Sequence, residues 1–309
     1  MMVTAVQRKV SLDADDGRSI PVRIWQPESA EPRCIIQVLH GLSEHAGRYA
    51  RFGNAACAQG FAVVAHDHRG HGSAAEYSGH FADKDGWQKV LGDVLGVQNF
   101  IRDNHPGVPV ILLGHSMGSF IAQASVMQSG NGLAGLILSG SSYGSRLQIR
   151  VARWVARFEI WKNGSRAPAE LMNKLNFQAF NKAFEPARTG FDWLSGDDEE
   201  VDRYIADPLC GGMASGGLWR DLASGLLEIT SVKALKRIRS DLPILITGGE
   251  KDPVGGTRGM TRLRKAFAAS GHSNVTLKVY ANARHEILNE TNRQTVTQDV
   301  LSWVNEQIQ

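Results

Sequence analysis

VPVILLGHSMGSFIAQASVMQS, residues 108–129, places an apolar run, a glycine-bracketed serine and a helical segment end to end. VPVILLG (108–114) is continuously apolar, as a strand covered on both faces must be. Residues 116–127 then read as a helix, and Gly114-His115-Ser116-Met117-Gly118 stands at the junction. A serine on so sharp a turn needs small residues on either side. The turn exposes its Oγ and puts the next backbone N–H at the positive end of a helix. The blander reading is a glycine-rich turn with an incidental serine, and the strand before it and helix after it weigh against that. Ser116 is therefore the candidate acyl-transfer nucleophile, and the Met117 N–H a candidate donor to the oxyanion of its tetrahedral intermediate.

The same stretch lies within 42 residues, 104–145, that contain no Asp, Glu, Lys or Arg. A membrane span needs about 20 consecutive apolar residues. Here Pro106, Pro109, Gly114, His115, Ser116, Gln123 and Gln128 interrupt the run. It reads instead as a buried strand–helix–strand unit closed by LAGLILSG (133–140). Upstream, residues 3–10 and 18–26 read as a hairpin around Asp15-Asp16-Gly17. CIIQVLH (34–40) and FAVVAHD (61–67) read as strands, with a helix over 48–59 between them and another over 87–102. Downstream come LPILITGG (242–249), a helix over 257–269, VTLKVY (275–280) and a last helix over 291–306. Strands alternating with helices imply an α/β fold, a mostly parallel central sheet with helices on both faces.

Residues 142–219 break this rhythm. They contain no convincing buried strand but hold 11 of the chain's 23 aromatic side chains. A helical cap inserted between two sheet strands, over a lipophilic cleft, has this composition. Residues 1–141 and 220–309 then form the core. Within the cap, RLQIRVARWVARFEIW (146–161) places Leu147, Val151, Trp154, Val155, Phe158 and Trp161 on one helical face. Arg146, Arg150, Arg153 and Arg157 form a basic stripe beside it. Such a helix can rest on a lipid interface with its arginines meeting anionic head groups. The commoner outcome is that Trp154 and Phe158 pack over the cleft while the arginines are solvated.

An acyl-transfer serine needs a base, and the base an orienting carboxylate. Asp252 follows the strand 242–249 and His285 follows the strand 275–280, so both fall at the sheet edge that carries Ser116. Open α/β sheets place their sites at that edge. Glu250 competes for the acid's role, whereas Asp241 and His272 precede their strands and lie at the wrong end. Singly, Asp252 is a turn residue before Pro253 and His285 a loop histidine; jointly, their order and edge favour catalysis. A second oxyanion donor is expected from the loop after strand 34–40, at the Leu42 N–H.

A net charge of +3 over 309 residues leaves no nucleic-acid footprint. At 42% hydrophobic and 21% charged residues, disorder and fibrous classes are excluded. The three cysteines, Cys34, Cys57 and Cys210, lack C-x-x-C spacing and read as reduced thiols. With no apolar signal segment at the N-terminus, they point to a cytoplasmic protein. Cys210 lies near the return from the cap and reads as a small buried hydrophobe. HDHRGHGS (66–73) offers His66, His68 and His71, but Gly70 and Gly72 suit a tight turn better than a zinc site, so no metal is expected. Nucleotide-binding motifs are absent, and no cofactor is expected.

Taken together, HGLSEHAGRY (40–49), AHDHRGHGS (65–73), GHSMG (114–118), DPLC (207–210), GGEKDP (248–253) and ARHEIL (283–288) give a specific likeness. The sequence resembles the monoacylglycerol lipase and lysophospholipase branch of the α/β-hydrolase fold, the serine-aminopeptidase-like hydrolase domain. The resemblance implies Ser116 as nucleophile, Asp252 as acid and His285 as base, with Leu42 and Met117 as oxyanion donors. It further implies that Glu44, Arg48 and His115 line the polar end of a substrate pocket. Mammalian members carry a second histidine three residues after the catalytic one, near the glycerol; here that position is Leu288. The expected activity is hydrolysis of a small lipid ester through an acyl-enzyme. A thioesterase, lactonase or peptidase of the same fold is the alternative, and a non-catalytic binding protein is the reading from another class.

Overall fold

The computed structural model describes residues 5–309 apart from 29 and 131. Each apolar run becomes a strand: β1 (Ala5–Asp13), β2 (Ser19–Pro27), β3 (Cys34–Leu39), β4 (Phe61–His66), β5 (Val110–His115) and β6 (Leu133–Ser139). Further on come β7 (Ile244–Gly249) and β8 (Val275–Tyr280). Residues 3 and 4 of the expected first strand lie outside the described residues. The eight strands form one sheet in the order β1-β2-β4-β3-β5-β6-β7-β8. β1 and β2 pair as an antiparallel hairpin, β2 pairs antiparallel with β4, and every other pairing is parallel. The chain therefore has the expected α/β-hydrolase architecture.

Period-two side-chain alternation splits the central strands between two apolar layers. Ile35, Leu39, Leu112, Leu136, Ile244 and Ile246 face one side. There they meet α2 (Gly86–Asn104) and α3 (Met117–Ser129), together with α8 (Gly216–Ile229), α9 (Val232–Leu235) and α10 (Gly256–Ala269). Ile36, Val38, Ile111, Leu113, Ile137 and Leu245 face the other, against α1 (Ala50–Ala58) and α11 (Arg293–Gln307). Burial on both faces explains why these strands read as unbroken apolar runs.

The insertion between β6 and β7 begins with α4 (Arg146–Asn163), α5 (Glu170–Asn173) and α6 (Ala179–Lys182), with a single π turn over Lys174–Gln178. It continues through α7 (Asp198–Ala206) into α8, which straddles residue 219 and returns to the core through Leu218, Leu222 and Ile229. The packing of Trp154 and Phe158 over the cleft is corrected: they are 68% and 56% exposed, and Trp161 is 81% exposed. α4 instead buries Ile149, Ala156 and Glu159, with Ala152 and Val155 half-buried beside them. Alanines let α4 approach α8 so closely that a Cβ on Gly216 would stand 2.9 Å from Ile160 Cγ1. No room remains on that side for a tryptophan. Arg146 also leaves the basic stripe, since its guanidinium donates to the Leu227 and Thr230 carbonyls at 2.6 and 2.8 Å.

Beneath the loop after β3 lie His40, His66, His68 and His71, all buried. His40 Nε2 accepts from the His68 N–H at 2.9 Å while its Nδ1 lies 2.7 Å from the Gly41 carbonyl, which fixes a neutral tautomer. Both nitrogens of the His66 ring are buried without a partner. Burial pushes His40, His66 and His71 down to about 3, and His68 is also driven well below its ordinary value. Their folded-state values lie below those of the unfolded chain, so the stability they confer is complete above pH ~6.5 and is lost as pH falls toward 3. Each such group costs about 1.4 kcal/mol per pH unit in that window. Denaturant titrations are expected to show a loss of about 3 kcal/mol or more between pH 6.5 and 5. Stability that stays flat across that interval would contradict this account.

Candidate active site

Ser116 has φ +50° and ψ −119°, a region that strains any non-glycine residue. Its neighbours make that conformation reachable. A Cβ at Gly114 would stand 2.3 Å from the Gly118 carbonyl oxygen, and one at Gly118 would stand 2.1 Å from that of Leu39. The elbow is pinned by the Ser116 N–H donating to the Ser139 carbonyl at 2.9 Å, and by the Ser119 hydroxyl donating to the Ser116 carbonyl at 2.7 Å. Met117 opens α3, so its N–H has no acceptor within the helix and is available to an anion.

Asp252 follows β7 and His285 follows β8, and the structure brings them together. His285 Nδ1 lies 2.9 Å from Asp252 Oδ1, with both side chains buried. The same carboxylate oxygen accepts from the Val254 N–H at 2.9 Å, which fixes its orientation. Burial alone would lower the His285 imidazole. The Asp252 carboxylate, with Glu286 and Glu44 further off, more than reverses this and raises it above its ordinary value. Glu250 points away, its exposed carboxylate accepting from the Asn282 N–H at 3.0 Å. His272 is buried behind β8 against Ser270, its Nδ1 2.9 Å from that hydroxyl. Ser116 and His285 line one cavity, with no hydrogen bond between hydroxyl and imidazole in this structure.

That cavity measures about 440 Å³. Leu42, Met117, Glu44 and His115 share its lining, and Phe177, Phe180, Trp193 and Trp219 bring in the insertion's aromatics. His115 stands with its ring centroid 4.8 Å from that of His285, and burial lowers it to about 4, so it is neutral. Glu44 accepts from the Gly41 N–H at 2.6 Å and from Arg48 at 3.0 Å. Arg48 does not line this cavity but borders a smaller recess that shares Glu44, His115 and Glu286 with it. Its guanidinium grips Glu286 through two bonds of 2.6 and 2.7 Å and stacks 4.9 Å from the Tyr204 ring centroid. Burial would raise Glu286, but Arg48 outweighs that and holds the carboxyl well below the usual range. Leu288 lines the same recess beside Arg48 and Glu286.

Glu286 and Trp193 both went unread in the sequence. Glu286 is the immediate neighbour of His285 in ARHEIL, and an acid adjoining a loop histidine was a readable signal. Trp193 was one aromatic among many, with no pattern to single it out. Cys210 is half-buried against the cluster of Trp193, Leu194 and Tyr204, and burial raises its thiol far above the range of a reactive thiolate.

A model of the serine aminopeptidase S33 family matches residues 30–292. The chain is 29% identical over 311 residues to a monoacylglycerol lipase of Mycolicibacterium smegmatis, spanning 98% of this chain and 99% of that one. It is 30% identical over 303 residues to the monoglyceride lipase of Mus musculus, spanning 95% and 89%. Among solved structures, a thermostable carboxyl esterase of Bacillus coagulans in complex with glycerol superimposes with a TM-score of 0.89. That pair is 28% identical and covers 98% and 99% of the two chains.

Proposed function

This chain belongs to the serine aminopeptidase S33 family, in the monoglyceride lipase branch of the α/β-hydrolases, and on that footing we propose that it hydrolyses small lipid carboxylic esters through an acyl-enzyme. The observation that carries this reading is the buried Asp252–His285 pair at 2.9 Å, opening with the strained Ser116 onto an aromatic-walled cavity. His285 Nε2 takes the Ser116 proton as Oγ attacks the ester carbonyl, and the oxyanion is held by the Leu42 and Met117 N–H groups. The tetrahedral intermediate collapses, His285 returns the proton to the departing alcohol, and an acyl-Ser116 ester remains. Water then attacks that ester with His285 again as base, freeing the acid and restoring Ser116. Glu44 and His115 face the alcohol end, and Arg48 acts by fixing Glu44 and Glu286.

Covalent labelling by a fluorophosphonate tests the nucleophile, and an ester panel varying acyl length and alcohol tests the substrate class. A wild-type chain that takes up no probe and cleaves no ester is a binding protein.

Residues 142–219 serve as the cap of this enzyme on a core of 1–141 and 220–309. Among the described residues no helix is long and apolar enough to cross a membrane. The outward face of α4 supports contact at the surface instead: Leu147, Val151, Trp154, Phe158 and Trp161 are exposed beside Arg150 and Arg157. Seating these side chains among acyl chains while the arginines meet anionic head groups is favourable on both counts. Binding to anionic vesicles is expected to weaken as salt rises. Trp154→Ser and Phe158→Ser should each weaken it about tenfold while leaving turnover of a soluble ester intact. Indifference to anionic vesicles at low salt would confine the helix to an aqueous role.

A further inference from the structure

One short stretch of the insertion is bound to the loop that carries His285. The Glu286 N–H donates to the Leu194 carbonyl at 2.8 Å, and the His285 N–H to that of Trp193 at 3.4 Å. The Ser195 hydroxyl donates to the Asn289 carbonyl at 2.9 Å, and the Gly196 N–H to Glu290 at 2.9 Å. The Arg284 guanidinium closes the set on the Asp192 and Ser195 carbonyls. Residues 192–196 are thus fixed against the histidine loop, and the Trp193 side chain is set over His285 by that framework.

The two rings lie with centroids 5.0 Å apart and planes 38° apart. Phe177 and Phe180 pack on Trp193 in turn, with centroids 5.9 and 5.1 Å from its own. Trp193 is almost wholly buried, yet its Nε1 has no hydrogen-bond partner. An orphaned buried donor is unfavourable, and phenylalanine would fill much of the space without it. What indole offers beyond phenyl is the strongest π face for a cation.

Resting on the serine-hydrolase reading above, we propose that Trp193 is a positioning residue. Its indole face holds the His285 ring in the orientation set by Asp252 and stabilises the imidazolium formed as Ser116 attacks. An interaction with a cation present only during the reaction raises kcat rather than ground-state binding. The charged groups facing His285 are accounted for. Asp252 bonds its Nδ1, Glu286 and Glu44 are both paired with Arg48, and His115 is neutral. The groups that act most strongly on the ring all lie outside the insertion, whose contact with it is the π face of Trp193.

The test compares the wild-type chain with Trp193→Phe and Trp193→Leu on a soluble p-nitrophenyl ester, recording kcat and KM from pH 5 to 9. Trp193→Leu is expected to lower kcat about tenfold with KM unchanged, and Trp193→Phe to fall between it and the wild type. The acid limb of kcat should move to lower pH in the same order, because losing the π face makes the imidazolium easier to deprotonate. A raised KM with an unmoved acid limb would overturn the proposal and make Trp193 a pocket wall. If Trp193→Leu does not fold, Trp193→Phe decides: wild-type kcat and acid limb in that variant overturn the proposal equally. Wild-type turnover, abolished in Ser116→Ala, secures the hydrolase reading whatever the Trp193 variants do. No turnover in the wild type would instead take down that reading and this one with it.

Discussion

Ser116→Ala is expected to lower kcat on any ester substrate by as much as ~10⁶-fold, with circular dichroism and thermal midpoint close to those of the wild type. The size follows from the mechanism: without Oγ no acyl-enzyme forms, and only the oxyanion donors and the bound geometry still favour direct attack by water. The fold should survive, because Oγ makes no hydrogen bond to the imidazole and Ser116 is held by its main chain. Alanine inherits the positive φ and is no more strained there than serine. Turnover retained by the purified variant would show that another group is the nucleophile.

Asp252→Asn is expected to cost ~10⁴-fold in kcat with little change in KM. The Asp252 carboxylate accepts from Nδ1, which leaves Nε2 free to receive the serine proton. An amide can present its NH₂ to Nδ1 instead, which favours the opposite tautomer with Nε2 protonated and useless as a base. Glu250→Gln supplies the contrast, since its carboxylate is exposed and bonded to the Asn282 N–H. It should change kcat by less than about threefold. A damaging Glu250→Gln beside a mild Asp252→Asn would reverse the assignment of the acid.

All eight strands and the serine elbow were legible because each rests on local information. Runs such as CIIQVL and VILLGH must be buried on both faces whatever lies around them. The glycines of GHSMG answer to clashes only a few residues or one strand away. The placement of α4 was not legible in the same way. Its period of apolar residues is genuine, but the partner that decides which face turns inward is α8, some 60 residues later. α8 itself went unread, since it opens on Gly216-Gly217 and carries Gly225 beneath Trp87, a fit that exists only after the helices have met. Arg48 was read as a pocket residue, yet its bonds to Glu286 span 238 positions of sequence and no local pattern announces them.

The hydrogen bonds between residues 192–196 and the loop 284–290 bear on how relatives of this chain can diverge. The insertion looks like a single exchangeable unit along the sequence, but it is cut in two by what it supports. The segment from α4 to α6 bonds through its main chain to residues 214–217 and through Arg166 to Asp83, away from the loop 284–290, so recombination or drift there can retune the substrates admitted. The stretch from Asp192 onward supplies main-chain acceptors to the histidine loop and, through Tyr204 and Gly211, bonds the Ser43 carbonyl, next in the chain to Leu42, the proposed oxyanion donor. A graft that took the whole insertion from a relative would therefore import part of the foreign catalytic framework as well. A crossover placed between α6 and Asp192 would leave those main-chain acceptors in place but exchange Phe177, Phe180 and Asn181, which hold Trp193 over His285, so new specificities built along that seam must keep these three side chains.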